Sequence, residues 1–247
     1  MKRLVTALGA VVSLAGGAAS AAPGLGEEVY GVRVEPGVYE VETRYGRLQG
    51  GSDDGRSAVV VELAHGFSDR FEGSLIGEIG RDPGGSYGFD AVGAEARYRI
   101  GTLPGLGVDF GVYGEYVASL RGAEPDRVEF KALFEKRTGP LDARVNFIIE
   151  HELGGAGITE FGYAARVYWA VADDVRLGAM AFGDVGDDHG FGGRRDHFVG
   201  PSASWEIEHL PGAGELKFEA AYLFPLGAAR DTTDGQLRFG LEWERRF

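Results

Sequence analysis

The sequence predicts an all-β protein, a closed antiparallel transmembrane β-barrel of about twelve strands. From about Glu35 onward, apolar and charged residues alternate with a period of two, which places them on opposite faces of a strand. The connectors between the alternating segments are in turn short and long. No apolar run after residue 21 is long enough for a membrane-spanning helix. Because lipid offers no partner to an unpaired strand edge, strands cross a membrane only as a closed barrel.

The first residues have the pattern of a secretory signal peptide. Met1–Arg3 is basic, Leu4–Leu14 is apolar, and Ala19–Ala21 supplies small residues for cleavage. A membrane-anchoring helix fits less well, because the apolar run is shorter than the roughly 20 residues that a span needs. We expect three parts along the chain: a signal peptide (1–21), an N-terminal periplasmic segment (22–36) and the outer-membrane barrel (37–247).

Composition limits the classes of function. The 247 residues include 42 glycines and no cysteine, so packing and strand pairing must hold an exported chain together without disulfides. The formal net charge is −13, and removing Lys2 and Arg3 with the signal peptide makes it −15. An acidic chain is a poor candidate for nucleic-acid binding, which favours basic patches, so we expect no nucleic-acid partner.

The alternation runs through twelve segments of about ten to thirteen residues, close to the 9–11 that a tilted strand needs to cross a bilayer. The segments are approximately 37–48, 56–67, 70–80, 89–100, 106–117, 127–137, 141–152, 159–171, 175–185, 197–208, 215–226 and 236–247. Pro201 lies inside the tenth segment, where we expect a bulge or shortened pairing. Apolar residues interrupt the charged face at Val60, Ile76, Leu133, Ile148 and Leu223.

The connectors form a second pattern. The short ones are approximately 65–69, 101–105, 138–140, 172–174 and 209–214, and the longer ones 46–55, 81–88, 119–126, 153–157, 184–196 and 227–235. Transmembrane barrels have short periplasmic turns and longer extracellular loops. With an even number of strands, both termini are expected on the periplasmic side.

The last segment, Gly235–Phe247, alternates strictly and ends on an aromatic residue. It resembles the closing strand of Gram-negative outer-membrane β-barrels, which implies recognition by the barrel-assembly machinery through that strand. Leu63–Phe71, Leu103–Tyr116 and Leu133–Glu152 look like a family of proteobacterial barrels labelled as transporters or outer-membrane proteins, some grouped with barrels linked to aromatic-compound degradation. This resemblance implies solute passage and brings no catalytic residues.

The apolar face is expected to meet lipid and lipopolysaccharide, because its aromatic residues cluster near the two ends of the strands, as in interfacial girdles. A soluble periplasmic β-sandwich would also alternate, but it needs neither uniformly long strands nor a terminal aromatic residue. The predicted lipid-facing girdle includes Tyr39, Tyr98, Tyr116, Phe161, Trp169, Trp205, Trp243 and Phe247.

The charged face is expected to line the lumen. Twelve tilted strands give a backbone diameter of roughly 24 Å, which leaves on the order of 10 Å between inward side chains. The charges could set the selectivity of a narrow channel for small solutes, or pair and close a structural or interaction barrel. The predicted pore-lining residues are Glu40, Glu42, Arg44, Glu62, Glu72, Arg97, Asp109, Glu115, Lys131, Glu135, Arg144, Glu150, Arg166, Arg176, Glu206, Lys217, Glu219, Arg238 and Glu242.

Candidate chemistry elsewhere in the chain is weak. Gly84–Gly88 matches G-x-S-x-G, but it lies between two strands and not on the strand-to-helix turn that this motif needs. His151 and His197 are outward by parity, yet neither carries a lipid-hydrolase motif, so a lipid-modifying enzyme is the least favoured alternative. The acidic loop 184–197 has no recognisable Ca²⁺ spacing. We therefore predict no catalytic residue, metal or cofactor.

Overall fold

The computed structural model describes residues 22–122, 124–155, 157–210 and 214–246, which form one closed antiparallel sheet. The predicted signal peptide and the terminal Phe247 lie outside these residues. Within the described ranges, no helix has the length and apolar character needed to cross a membrane.

Twelve long strands and one two-residue strand make up the described sheet. In chain order they are β1 (Val38–Gln49), β2 (Ser57–Gly66), β3 (Phe71–Arg81), β4 (Gly88–Leu103), β5 (Val108–Ser119), β6 (Asp126–Thr138), β7 (Leu141–Leu153), β8 (Thr159–Ala170), β9 (Val175–Asp187), β10 (Gly190–Phe191), β11 (Asp196–Leu210), β12 (Gly214–Gly227) and β13 (Gly235–Arg246). The short β10 pairs only with the end of β9. The predicted twelve-stranded barrel is therefore confirmed, with β10 as an addition.

The barrel closes between its first and last strands. β1 pairs with β13 over twelve residues without a register shift, from Val38↔Arg246 to Gln49↔Gly235. The remaining long strands pair with their neighbours in antiparallel order around the barrel. Closure leaves none of the described long strands with a free edge, which is the condition for crossing lipid.

Pro201 shortens the pairing on one side of β11. Its register with β12 passes from Val199↔Phe224 to Ser202↔Ala221 without a shift and without ladder pairs between them. On the other side, Pro201 stands opposite Ala179 of β9 in unbroken register. Proline has no amide hydrogen to donate, so one ladder is interrupted while the strand keeps its alignment.

The burial pattern is the reverse of that in a soluble protein. Phe147, at the centre of β7, is 57% exposed and Leu241 is 42% exposed, whereas Arg44 and Lys131 are 6% and 5% exposed. Apolar side chains thus cover the outer wall and charged ones occupy the inside. This arrangement confirms the predicted orientation of the two faces.

Aromatic side chains of the predicted girdle lie mostly on the outer wall. The exposed ones are Tyr39, Tyr98, Tyr116, Trp169 and Trp205. Phe161 and Trp243 are half-buried, and Phe247 lies outside the described residues. Trp205 donates from Nε1 to Asp174 Oδ2 (2.9 Å), which ties an outer-wall aromatic ring to a turn. The position of this set at a bilayer interface remains a prediction.

The connectors define two ends of the barrel. The described short turns, 67–70, 104–107, 139–140 and 171–174, lie at what we call the short-turn end, with Val38 and Arg246. The longer loops lie at the long-loop end, and their described residues are 50–56, 82–87, 120–122, 124–125, 154–155, 157–158, 188–195 and 228–234. Two of these loops are joined there by Arg194, which donates from two nitrogens to Asp231 (2.6 and 2.8 Å).

Residues 22–36, which the sequence predicts to be an N-terminal periplasmic segment, run through the lumen before β1 begins. The side of the membrane on which this segment starts remains a prediction. Val29, Tyr30 and Val32 are 2%, 4% and 0% exposed. Apolar residues at these positions have no reason to remain in water when an enclosed surface is available.

A charge on the outer wall tests the burial pattern. Phe147→Arg is expected to lower the free energy of unfolding by about 2–4 kcal/mol, because it places an ion near the bilayer midplane. The control is Leu106→Arg, the same kind of change in a short turn where the side chain is 61% exposed. It is expected to lower the free energy of unfolding by only about 0–1 kcal/mol. Urea unfolding of barrels refolded in lipid vesicles, followed by tryptophan fluorescence, measures both; equal costs would contradict the assignment.

Candidate functional site: the lumen and its N-terminal plug

Residues 22–37, called here the N-terminal plug, pass through the lumen from one end to the other. Near the long-loop end, Leu25 packs in an apolar cluster with Leu48, Phe182 and Leu223. At the short-turn end, the Gly37 amide donates to the carbonyl of Gly66 (2.8 Å). The plug therefore occupies the narrow space between the inward side chains that the sequence analysis predicted as a possible solute path.

Tyr30 is the central anchor of the plug. Its amide donates to Asn146 Oδ1 (2.7 Å), and Asn146 Nδ2 donates to the Tyr30 carbonyl (3.0 Å). Its ring packs on Tyr113 with centroids 4.6 Å apart, and its hydroxyl donates to Glu95 Oε2 (3.2 Å). Asn146 is fully buried, so this reciprocal pair is shielded from competition by water.

Cations surround the Tyr30 ring. Lys131 Nζ lies 4.7 Å from the ring centroid, and the guanidinium carbons of Arg44 and Arg97 lie 5.9 and 5.8 Å from it. Each lies within the roughly 6 Å at which a cation is attracted to an aromatic ring. Arg97 also donates to the Gly31 carbonyl (3.1 Å), so ring and backbone are held together.

Acidic side chains of the wall hold the next part of the plug. Glu135 Oε2 accepts from the amides of Val32 (2.7 Å) and Arg33 (3.2 Å). The Arg33 side chain donates from Nε to Asp109 Oδ2 (3.2 Å). Glu135 is 1% exposed, and hydrogen bonds from amides to a buried carboxylate are among the stronger ones.

Basic side chains of the wall hold the part nearer the long-loop end. Arg44 donates from Nε to the Gly26 carbonyl (3.1 Å) and from Nη1 to Glu28 Oε2 (2.9 Å). Lys131 pairs with the Glu27 carboxylate, and Arg238 donates to the Glu27 carbonyl. Wall and plug thus satisfy each other's charges and backbone groups.

Two glycines of the wall make room for the plug. A Cβ atom at Gly46 would lie 3.0 Å from Leu25 Cδ1, and one at Gly111 would lie 3.2 Å from Val32 Cγ1. Both distances are tighter than ordinary van der Waals contact. The wall is therefore shaped to the backbone that passes beside it.

The apolar residues that interrupt the charged face pack inside the barrel. Leu133 forms a cluster with Tyr30 of the plug, and Leu223 forms another with Leu25. Val60 and Ile76 belong to a third cluster, and Ile148 packs against the one around Leu25. A water-filled pore has a polar lining, so these clusters mark where the lumen is filled.

The predicted pore-lining residues all lie on the lumen side, and none of the nineteen is exposed. Seven contact the plug: Arg44, Arg97, Asp109, Lys131, Glu135, Arg144 and Arg238. Others pair across the lumen wall, as in Arg166–Glu219 (3.1 Å), Arg176–Glu206 (2.9 Å) and Lys217–Glu242 (2.5 Å). Their role in selectivity remains a prediction. Sequence reasoning did not single out Asn146, whose neutral side chain holds the plug.

A cavity of about 320 Å³ lies beside the plug, toward the short-turn end. Its lining is charged, and both signs are mixed along it. The cations are Arg33, Arg97, Arg137, Arg144, Arg166, Arg176 and Lys217, and the carboxylates include Glu40, Glu62, Glu72, Asp142, Glu206, Glu242 and Glu244. Several of them form ion pairs with each other, as in Arg144–Asp142 (3.3 Å) and Arg176–Glu206 (2.9 Å).

The other candidate residues show ordinary local contacts. His151 and Thr159 Oγ1 are hydrogen-bonded (2.9 Å), and the His197 ring stacks on Tyr163. In the acidic loop, Asp187 accepts from Arg195 Nη1 (3.0 Å) and from two amides of its own turn. Gly84–Gly88 runs from a loop into the start of β4, as expected from its neighbours.

Asn146→Ala tests how the plug is held. Losing the reciprocal hydrogen bonds is expected to destabilise the docked plug by about 1–3 kcal/mol, roughly a 5- to 150-fold rise in local opening. Hydrogen exchange at the amides of Tyr30 and Val32 measures this opening. Ser204→Ala, a matched change at a buried position on β11, is expected to leave both amides unchanged. Unchanged exchange in Asn146→Ala would show that Asn146 is not an anchor.

Comparison with known proteins gives the fold. No family model matches the chain, and no curated protein matches it. The KdgM porin matches with a TM-score of 0.54 at 8% identity, covering 83% of this chain and 98% of that chain. The NanC porin gives 0.53 at 12% identity, covering 83% and 98%.

A third similar structure is the COG4313 outer membrane channel from Pseudomonas putida F1. It matches with a TM-score of 0.54 at 14% identity, covering 89% of this chain and 100% of that chain. At such identities the likeness concerns the fold alone. This chain has the closed antiparallel barrel fold of Gram-negative outer-membrane porins and channels.

Proposed function

We propose that this protein is an outer-membrane channel for small solutes, closed in the described state by the N-terminal plug. The observation that carries the proposal is how the plug is held. It pairs with side chains of the wall, through Asn146, Glu135 and Arg44, and it adds no strand to the sheet. Displacing it would therefore leave the barrel ladder intact and expose charges already placed along the lumen.

The charged cavity supports solute entry from the short-turn end. It already reaches the plug residues Tyr30 and Arg33, so a solute in it would touch the groups that keep the plug in place. Carboxylates and guanidiniums interspersed along the wall of the cavity suit small polar solutes of either charge. One barrel of this fold is the KdgM porin in complex with disordered oligogalacturonate, which supports a polar solute here as well.

The proposal includes an orientation. The short turns and both ends of the mature chain face the periplasm, the longer loops face outward, and lipid and lipopolysaccharide surround the apolar wall. The signal peptide directs export, and the C-terminal strand engages the assembly machinery. The role is transport and not catalysis, with no nucleic-acid partner. The unbroken β1–β13 pairing supports the importance of the last strand.

The second candidate is a non-conducting structural or interaction barrel. The apolar clusters inside the lumen favour it, because Leu133, Leu223 and their partners fill space that a permanently open pore would leave to water. The two candidates differ in one property. Removing the plug opens a channel in the first and leaves a closed barrel in the second.

A reversible lock tests the channel. In Val32→Cys with Gly111→Cys, the new sulfur atoms would be close enough to bond, since a Cβ at position 111 lies 3.2 Å from Val32 Cγ1. The chain has no other cysteine. The oxidised protein is expected to show no conductance in planar bilayers, and reduction is expected to restore any openings of the native barrel.

Deleting residues 23–33 is the complementary variant. It is expected to raise the mean conductance at least about tenfold over the native barrel by removing the obstruction. Heat-modifiable migration on a gel shows whether the deleted protein still folds, and each single-cysteine variant controls for the lock. A folded, plug-deleted barrel without conductance would overturn the channel and favour the structural barrel.

Cysteine labelling tests the orientation. His189→Cys in the longest loop is expected to react with a membrane-impermeant maleimide on intact cells, because that side chain is 76% exposed. Asp173→Cys, in the exposed turn 171–174, is expected to react only after the outer membrane is permeabilised. The opposite labelling pattern would invert the assignment of the two ends.

A further inference from the structure

Three carboxylates meet at one nitrogen of Arg44 where the plug docks. Glu28 of the plug, Glu42 of β1 and Glu62 of β2, called here the acidic triad, each place an oxygen close to Arg44 Nη1 (2.9, 2.6 and 2.8 Å). Arg44, Glu42 and Glu62 are buried, and Glu28 is half-buried. A guanidinium Nη carries two hydrogens, so it cannot donate to three carboxylates at once.

The strand register crowds the same groups. Glu42 stands directly opposite Glu62 on one side and directly opposite Glu242 on the other, and like charges in such positions destabilise a strand pair. The plug adds Glu28, and the carboxylate oxygens of the triad all lie within 4.8 Å of one another. Carboxylates this close together in a buried place are costly to ionise at the same time.

The surrounding cations do not remove this excess of negative charge. The pairs that face Glu28 from the wall are Arg97–Glu72, Arg144–Asp142, Arg166–Glu219 and Lys217–Glu242. On the plug itself, Glu27 pairs with Lys131. Glu40 of β1 and Glu95 of β4 also face the triad and add carboxylates. Arg238 of β13 faces Glu42, but counting it with Arg44 still leaves three carboxylates to two cations.

We propose that the plug docks together with at least one proton, which a carboxylate oxygen of the acidic triad takes up from the solvent. The proposal rests on the proposed function in one respect, since it takes the plug to be displaceable. When the plug leaves, Glu28 enters water, and water reaches Glu42 and Glu62. A solvated glutamate is ionised above about pH 5, so the displaced state releases the proton.

The sign of the pH dependence follows from the proton count. The docked state binds more protons than the displaced state, so docking strengthens as the pH falls. Above about pH 5, each unit of pH is expected to raise the ratio of displaced to docked plug by up to about tenfold for one proton. Glu135, which accepts from two plug amides, pairs with Arg137 and Arg144 and would lose these bonds only in stronger acid.

Hydrogen exchange of the full barrel in detergent tests this coupling. Protection of the Tyr30 and Val32 amides, corrected for the intrinsic pH dependence of exchange, is expected to fall by up to about tenfold per unit between about pH 5 and about pH 8. Glu28→Gln, whose neutral amide can donate to Glu42 or Glu62 as a protonated carboxyl does, is expected to keep the plug docked and to remove this dependence.

The matched control is Glu35→Gln. It makes the same change in the plug at an exposed carboxylate, which pairs with Arg246 (3.3 Å) at the short-turn end, and it is expected to keep the native pH dependence. Heat-modifiable migration on a gel shows that each variant is folded. Protection that does not depend on pH in the native protein, or a dependence that persists in Glu28→Gln, would overturn the proposal.

Infrared spectroscopy of the native barrel measures the proton directly and needs no variant to fold. At neutral pH it is expected to show the C=O band of a protonated carboxyl group, and the absence of that band would overturn the proposal. Neither measurement depends on conduction. A pH-dependent plug in a barrel that stays closed after plug deletion would overturn the channel alone, and a pH-independent plug in a conducting barrel would overturn the proton coupling alone.

Discussion

The rest of this structure depends on the need to pair every strand edge inside a membrane. The β1–β13 ladder meets that need by joining the two ends of the sheet over twelve residues. In a closed barrel surrounded by lipid, the apolar side chains face outward and the charged ones line a narrow interior. The charges must then be satisfied there, because ions removed from water without partners are costly. The plug and the ion pairs of the wall satisfy these charges, and the internal apolar clusters fill the remaining space.

The interior is satisfied by mutual pairing of wall and plug. Glu135 uses its carboxylate on two plug amides, and Arg44 uses its guanidinium on a plug carbonyl and a plug carboxylate. The same residues would be poorly satisfied in an empty lumen. Opening the barrel therefore requires water or solute to replace these partners, and this requirement stabilises the closed state.

Sequence alone was enough for the strands and insufficient for the plug. Period-2 alternation is a local pattern, so the immediate neighbours of Phe147 and Arg44 are enough to predict which side chain points outward and which points into the lumen. The partners of the plug are distant: Tyr30 and Asn146 are 116 positions apart, and no local pattern links them. Two signals were nevertheless present. Val29, Tyr30 and Val32 are apolar in a segment expected to be solvated, and Leu133 and Leu223 interrupt the charged face where the plug packs.

The threaded path of residues 22–37 constrains how the molecule is made. The segment precedes β1 directly, and β1 gains its second neighbour only when β13, the last strand, is in place. Leu25 lies near the far end of the tube from Gly37, so the segment crosses the interior along its length. The segment can enter the interior most easily while the sheet is still open, before β1 and β13 pair. The N-terminal plug would thus enter before this pairing, so that docking of the plug and closure of the barrel are coupled steps.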